Sequence, residues 1–159
     1  MRWLIILVAL AGVVAATLAL REHYRTGASP CAINEKWDCG TVNKSPYAVI
    51  GGLFVETGPN AQPGFLQRKL PAIASIPVAD VGIAGYVLLA LLAFKKWWHA
   101  LAVASLAALG FSLYLAHVEK DILEVWCIYC VISLCVISLI ALLAVIMSIM
   151  QLVRRPREA

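Results

Sequence analysis

The stretch Trp126–Met150, WCIYCVISLCVISLIALLAVIMSIM, decides how this chain folds. It opens on a CxxC pair, Cys127 and Cys130, and then runs from Val131 to Met150 without a charge. As a helix, that uncharged run rises about 30 Å, which matches the hydrocarbon core of a bilayer. Cys130 then sits at the membrane boundary, with Cys127 about one turn above it. The dithiol therefore reads as the head of a membrane helix, placed where water-borne and lipid-borne reactants meet.

Composition agrees with that reading. Of 159 residues, 62% are hydrophobic and 14% are charged, against about a quarter charged in a soluble domain. The excess apolar surface needs lipid to cover it. The formal charge of +4 comes from basic residues that flank apolar runs without forming a stripe. That pattern speaks for membrane topology and against nucleic-acid binding. Four apolar spans follow: Trp3–Leu20, Pro77–Phe94 (flawed by Asp80), Trp98–His117 and Cys127–Val153. Each has the roughly 18–20 residues that cross a bilayer. They are rich in Ala and Leu and lack the ten-residue alternation of a barrel, so they read as helices. The expected fold is an all-α integral membrane protein: a four-transmembrane-helix bundle in a single domain, 1–159, with a long outer segment, 21–76. No internal repeat or low-complexity tract interrupts it. A signal peptide ending near Val14–Ala16 is the alternative for the first span, but no polar region precedes that site.

Charge asymmetry orients the bundle. Arg2, the pair Lys95–Lys96, and Arg154, Arg155 and Arg157 fall on one side, which the positive-inside rule makes cytoplasmic. The connection VEKDILEV, with Glu119, Asp121 and Glu124, falls on the other. Both termini are then cytoplasmic. Cys31, Cys39, Cys127 and Cys130 all face an extracytoplasmic, oxidising compartment where disulfides persist.

Several chemistries suit those four cysteines. A CxxC at a helix start gains from the unpaired N–H groups and the helix dipole, which favour a thiolate. The WCxxC of thioredoxin uses this in a βαβ setting; here an apolar run follows instead. Two stapling disulfides are the inert alternative, and a four-thiolate zinc site is another. The C-x7-C spacing is long for zinc and the compartment favours thiol oxidation, so no metal is expected. The outer pair lies in CAINEKWDC, a polar stretch expected to be mobile. Two pairs on one face suggest a relay by thiol–disulfide exchange: soluble partner to loop pair, loop pair to CxxC. The last acceptor has to be lipid-soluble and take two electrons, and a quinone of the ubiquinone, menaquinone or phylloquinone kind fits. Cys135, inside the last span, reads as a small packed hydrophobe.

The ordered set CAINEKWDCGTVNKSPYAVIGG, IPVADVGIAGYVLLALLAF and WCIYC opening the final span resembles the vitamin K epoxide reductase family. The likeness is to the short, prokaryotic type without a thioredoxin-like extension. It implies a four-helix bundle around a quinone, with a short membrane-dipping helix for which Pro46–Glu56 is the candidate. It also implies roles. Cys127 and Cys130 match the active-site dithiol, with Cys130 toward the quinone. Cys39 matches the loop cysteine that forms a mixed disulfide with Cys127, and Cys31 the one that meets a thioredoxin-like partner. Ser45 matches a serine near the active site. Leu134 and Val78 depart from the animal epoxide reductases, which carry tyrosine and asparagine there. Both departures fit the prokaryotic branch, in which quinone reduction drives disulfide formation.

The expected function is thus a quinone-dependent thiol oxidoreductase in a prokaryotic cell membrane. Reduction of vitamin K epoxide or quinone by an external dithiol is the alternative within the enzyme class, and a disulfide-stapled scaffold the alternative outside it. Asp80 is a candidate proton-handling group near the quinone, or a carboxylate favoured by the helix N-terminus. His117 could titrate as quinol forms. Trp97, Trp98 and Trp126 read as interface anchors, and residues 104–110 as a small-residue packing face.

Overall fold

The computed structural model describes residues 1–53 and 69–154. Its helices are α1 (Arg2–Tyr24), α2 (Cys39–Asn43), α3 (Pro71–Ala74), α4 (Val78–Phe94), α5 (Trp98–His117) and α6 (Ile128–Arg154). Short 3₁₀ turns at Pro46–Ala48 and Ile50–Gly52 follow α2, and a wider π-type turn, Val118–Leu123, extends α5. Most of the membrane surface is aliphatic side chain. Leu7, Leu10, Leu88, Val103, Leu106 and Leu142 all point outward, as hydrocarbon requires.

The sequence reading of four transmembrane helices is corrected in one element. Among the described residues three helices are long and apolar enough to cross: α1, α5 with its π-type extension, and α6. The predicted second span, Pro77–Phe94, forms α4, which has 17 residues. Its rise of about 26 Å falls short of the roughly 30 Å core. Both of its ends are cut for identifiable reasons. Val49 and Pro77 form an antiparallel bridge, and Ile50 N–H donates to Ile76 O at 3.1 Å. The chain is therefore extended up to Pro77, where φ is −60° and ψ 139°. At the other end Lys96 takes a left-handed φ of 59°, which an L-residue visits only in tight turns. The predicted membrane-dipping helix is corrected too: within Pro46–Glu56 the chain forms the two 3₁₀ turns, while residues 54–56 lie outside the described residues.

A stripe of small residues on α1 sets the packing. Ile5, Ala9, Gly12, Ala16 and Ala19 recur every three to four residues and are all buried, so they share one face. That face receives α4 and, beside it, α6, which also packs along α5; Ile137, Ile140 and Ala144 of α6 join this core. Gly12 is where the approach is tightest. A Cβ there would overlap the ring of Tyr86 on α4. With the ring seated, the Tyr86 hydroxyl meets Ser133 of α6, its carbonyl at 2.9 Å and its Oγ at 2.7 Å. A phenol buried among apolar helices needs such partners. Trp98, read as an interface anchor, is instead buried in this core; Trp97 is exposed, with Lys95 over its ring. Cys135, read as a packed hydrophobe, faces out of the bundle.

The ends of the bundle are chemically distinct. α1 ends and α4 begins beside the cysteine loop, because His23 contacts Asn43 O and Val49 pairs with Pro77. Arg2 and the Lys95–Lys96 turn lie at the far end.

The Gly12–Tyr86 fit gives a direct test. We expect Gly12→Val to lower the stability of the detergent-solubilised protein by about 1–3 kcal/mol, the usual cost of overpacking. Thermal unfolding measures it. Adding Tyr86→Ala should recover part of the loss, since contacting residues are not additive.

Candidate functional site

The segment bearing the outer cysteines is anchored, in contrast to the mobile loop expected from its polarity. Trp126 N–H donates to Lys36 O at 2.8 Å and Asp38 N–H donates to Trp126 O at 3.1 Å. This pair of bonds makes a parallel bridge between Trp37 and Trp126. The two indoles lie against each other, with centroids 6.3 Å apart and planes tilted by 32°; such pairs add about 0.5–1.5 kcal/mol beyond area burial. Asn34 Oδ1 accepts from the N–H groups of Lys36 and Trp37 at 3.0 and 3.1 Å, folding the polar stretch back on itself.

Asp38 then starts α2. Its carboxylate accepts Gly40 N–H at 2.8 Å and the Thr41 hydroxyl at 2.7 Å, as an N-cap should. The Thr41 hydrogen bond, followed by the Gly40 N–H, holds its carboxyl below the usual range. Cys39 follows at the first helical position. Cys31 and Cys39 are joined as a disulfide, with Cα atoms 5.8 Å apart, and both are buried with Val42 and Cys127 in one cluster. Asn43 ties that cluster to the inner pair. Its Nδ2 donates to Cys39 O at 2.8 Å and to Cys127 Sγ at 3.3 Å.

Cys127 and Cys130 are both free thiols. Cys127 is fully buried and directly precedes α6, with its carbonyl taking Val131 N–H at 3.0 Å. Its sulfur is in N-cap position. The Cys130 thiol and then the Cys130 backbone N–H donate to it, and Asn43 adds a third donor. Together they hold Cys127 below the usual thiol range, against its burial and the nearby Glu119 charge. The dipole of α6 acts in the same sense. Glu119 reaches in from the π-type turn and accepts Cys127 N–H on Oε2 at 3.0 Å. The turn reverses at Glu124, whose φ is 55°, and Val125 N–H closes it onto Glu119 O at 3.1 Å.

Below the dithiol a cavity of about 280 Å³ opens between α1, α4, α5 and α6. Its wall is largely aliphatic, including Ala15, Ala19, Val78, Leu89 and Leu134. Cys130 contributes to it, and so do His23, Asn43, Ser45, Tyr86 and Glu119. Ser45 also donates its hydroxyl to Val42 O at 2.8 Å, so it orders the turn after α2 while facing the cavity. Asp80 is half-buried in the first turn of α4 and forms no part of that wall. His117 is exposed and pairs with Asp121 at 2.7 Å, also away from the cavity. Trp126 lines it in addition to gripping Trp37.

Three site residues escaped the sequence reading. Glu119 was counted only as a charge favouring the outer side, and the π-type turn that buries it has no sequence signature. Asn43 lies four residues after Cys39, a helical spacing that the short α2 realises. His23 continues the small-residue stripe of α1 by one turn, and that periodicity could have found it.

Removing donors to Cys127 should raise the pH at which it reacts. We expect Cys130→Ala to shift the pH dependence of Cys127 alkylation upward, and Asn43→Ala to shift it less in the same direction. Below the midpoint the thiolate fraction falls about tenfold per pH unit, so both variants should react more slowly at neutral pH. Alkylation rates read by mass spectrometry in a Cys135→Ala background measure this.

The sequence from residue 3 to residue 146 matches the model of the vitamin K epoxide reductase family. A search of curated proteins finds no match. The matched region contains both cysteine pairs, all three spanning helices over most of their length and the cavity they enclose. With its cysteine pairs positioned for disulfide chemistry inside a membrane protein, the chain belongs to the vitamin K epoxide reductase family.

Proposed function

We propose that the protein is a quinone-dependent thiol oxidoreductase that oxidises an extracytoplasmic, thioredoxin-like dithiol protein and so supports disulfide formation. One observation carries the reading: the buried Cys31–Cys39 disulfide shares a cluster with the free Cys127, while Cys130 opens onto an apolar cavity. That order of four sulfurs leads from water to lipid.

The residues of the cavity fit a quinone head group. About 280 Å³ lies at the lower end of small-molecule sites, whose walls are mostly apolar with a few polar groups. His23, Asn43, Ser45 and Tyr86 are those groups here. A quinone, when bound, supplies a two-electron, two-proton acceptor. Val78 and Leu134, the positions at which the animal enzymes carry asparagine and tyrosine, both line the wall. Without those polar groups the cavity favours reduction of a quinone over opening of an epoxide.

The electrostatics favour one direction of transfer. A thiolate at Cys39 attacks the Cys127 sulfur of an oxidised CxxC, and Cys31 then attacks Cys39 in the mixed disulfide. The departing sulfur is Cys127, whose thiolate is stabilised by three donors. The lower-pKa thiol leaves faster. The products are an outer disulfide and an inner dithiol, the arrangement seen in the fold.

Purified protein in proteoliposomes, with a reduced thioredoxin-like substrate, tests the relay by quinone absorbance. We expect Cys130→Ser to stop quinone reduction. Cys39→Ala should block transfer from the protein substrate while small dithiols still reduce the CxxC. Full turnover in both variants would return the chain to a stapled scaffold.

A further inference from the structure

We propose that Glu119 is the base that takes the proton of the Cys130 thiol. The proposal rests on the thiol-oxidoreductase reading and adds a catalytic group to its site. Glu119 is 3% exposed although it carries a carboxyl group, and burial of a charge is costly unless the group is held and used. Its position is over-determined. The carbonyl closes the π-type turn on Val125 N–H and Oε2 takes Cys127 N–H at 3.0 Å. The same carboxylate faces the Cys130 thiol and forms part of the cavity wall with it. A glutamine would satisfy Cys127 N–H equally well; only a carboxylate also accepts a proton.

The chemistry needs such a group at this point. Oxidising the CxxC dithiol releases two protons and two electrons. Cys127 faces the loop, and three donors stabilise its thiolate. Cys130 opens onto the apolar cavity, and Glu119 is the carboxylate of the same wall that faces it. In the proposed step the Cys130 thiol gives its proton to Glu119. The resulting thiolate attacks the Cys127 sulfur of a mixed disulfide, forming the Cys127–Cys130 disulfide and expelling the bound group as a thiolate that carries off the two electrons. Where a quinone is the acceptor in place of a bound sulfur, the two electrons and two protons of the dithiol pass to it, one proton by way of Glu119. The titratable groups sharing that wall are His23, Tyr47, Tyr86 and Tyr129; Lys120, Asp121 and Glu124 lie on the turn that carries Glu119.

A mixed disulfide tests the step without quinone. The full chain in a Cys135→Ala background is loaded at Cys127 with a chromogenic aryl disulfide, and release of the aryl thiol by Cys130 is followed against pH. We expect Glu119→Gln to slow release on the order of 100-fold, within the range for loss of a general base, and to flatten the acid limb of the profile. Glu119→Asp should recover part of the rate. Wild-type release by Glu119→Gln overturns the proposal. So does a slow Glu119→Gln whose pH profile keeps its shape and which aspartate does not rescue, because that is a structural defect. If the expected pattern appears while wild type fails to reduce quinone, the acceptor reading falls and Glu119 stands as the base.

Discussion

Two backbone hydrogen bonds organise the working end of this protein: Trp126 N–H to Lys36 O, and Asp38 N–H to Trp126 O. They join the loop of one cysteine pair to the residue preceding the other. Everything at the site is registered by them. They set Asp38 to cap α2, so that Cys39 and Asn43 fall on the turn that meets Cys127. A polar nine-residue loop has little apolar surface with which to hold a place, and the stacked indoles of Trp37 and Trp126 supply it. The joint is small beside the bundle, which suits the exchange of partners that the proposed relay asks of this segment.

The bundle below supplies an environment more than a framework. Small side chains bring α1 against α4, and the seat this leaves for Tyr86 lets its hydroxyl bridge to α6. The close approach on one side is balanced by open volume on the other, where Ala15, Ala19 and Gly82 face the cavity without filling it. The same residue sizes therefore produce both tight packing and a site. Lipid-facing side chains can be almost any aliphatic residue, whereas the stripe from Ile5 to Ala19 cannot.

The sequence located the cysteine pairs and the apolar helices better than the packing that surrounds them. An uncharged run behind CxxC forces a membrane helix whatever the rest of the fold does, and the bounds of α5 were legible for the same reason. The bounds of α4 were legible to within one residue, Pro77–Phe94 against Val78–Phe94; that it falls short of a crossing was not, because its start is fixed by pairing between Val49 and Pro77 across nearly thirty residues of chain. Its end is fixed by a left-handed lysine that no propensity would nominate. Glu119 was visible only as a charge, since its burial depends on a π-type turn that winds a polar connection inward. Asp80 attracted notice as a carboxylate in an apolar helix, yet α4 directs its neighbours Val78, Ala79 and Val81 to the cavity instead. Identity marks a residue as capable of chemistry; only the helix phase decides whether it takes part.

The sulfur of Cys127 caps α6, accepting the Cys130 N–H that would otherwise be an orphan of the first turn. A thiolate accepts that bond strongly and a disulfide sulfur accepts it poorly. In the relay proposed above, each change of oxidation state therefore ties or unties the end of a 27-residue helix. The oxidation state is written into the backbone as the solvent protection of one amide. In that relay, a partner docked on the loop lies beside a helix end whose order reports whether the CxxC pair is oxidised.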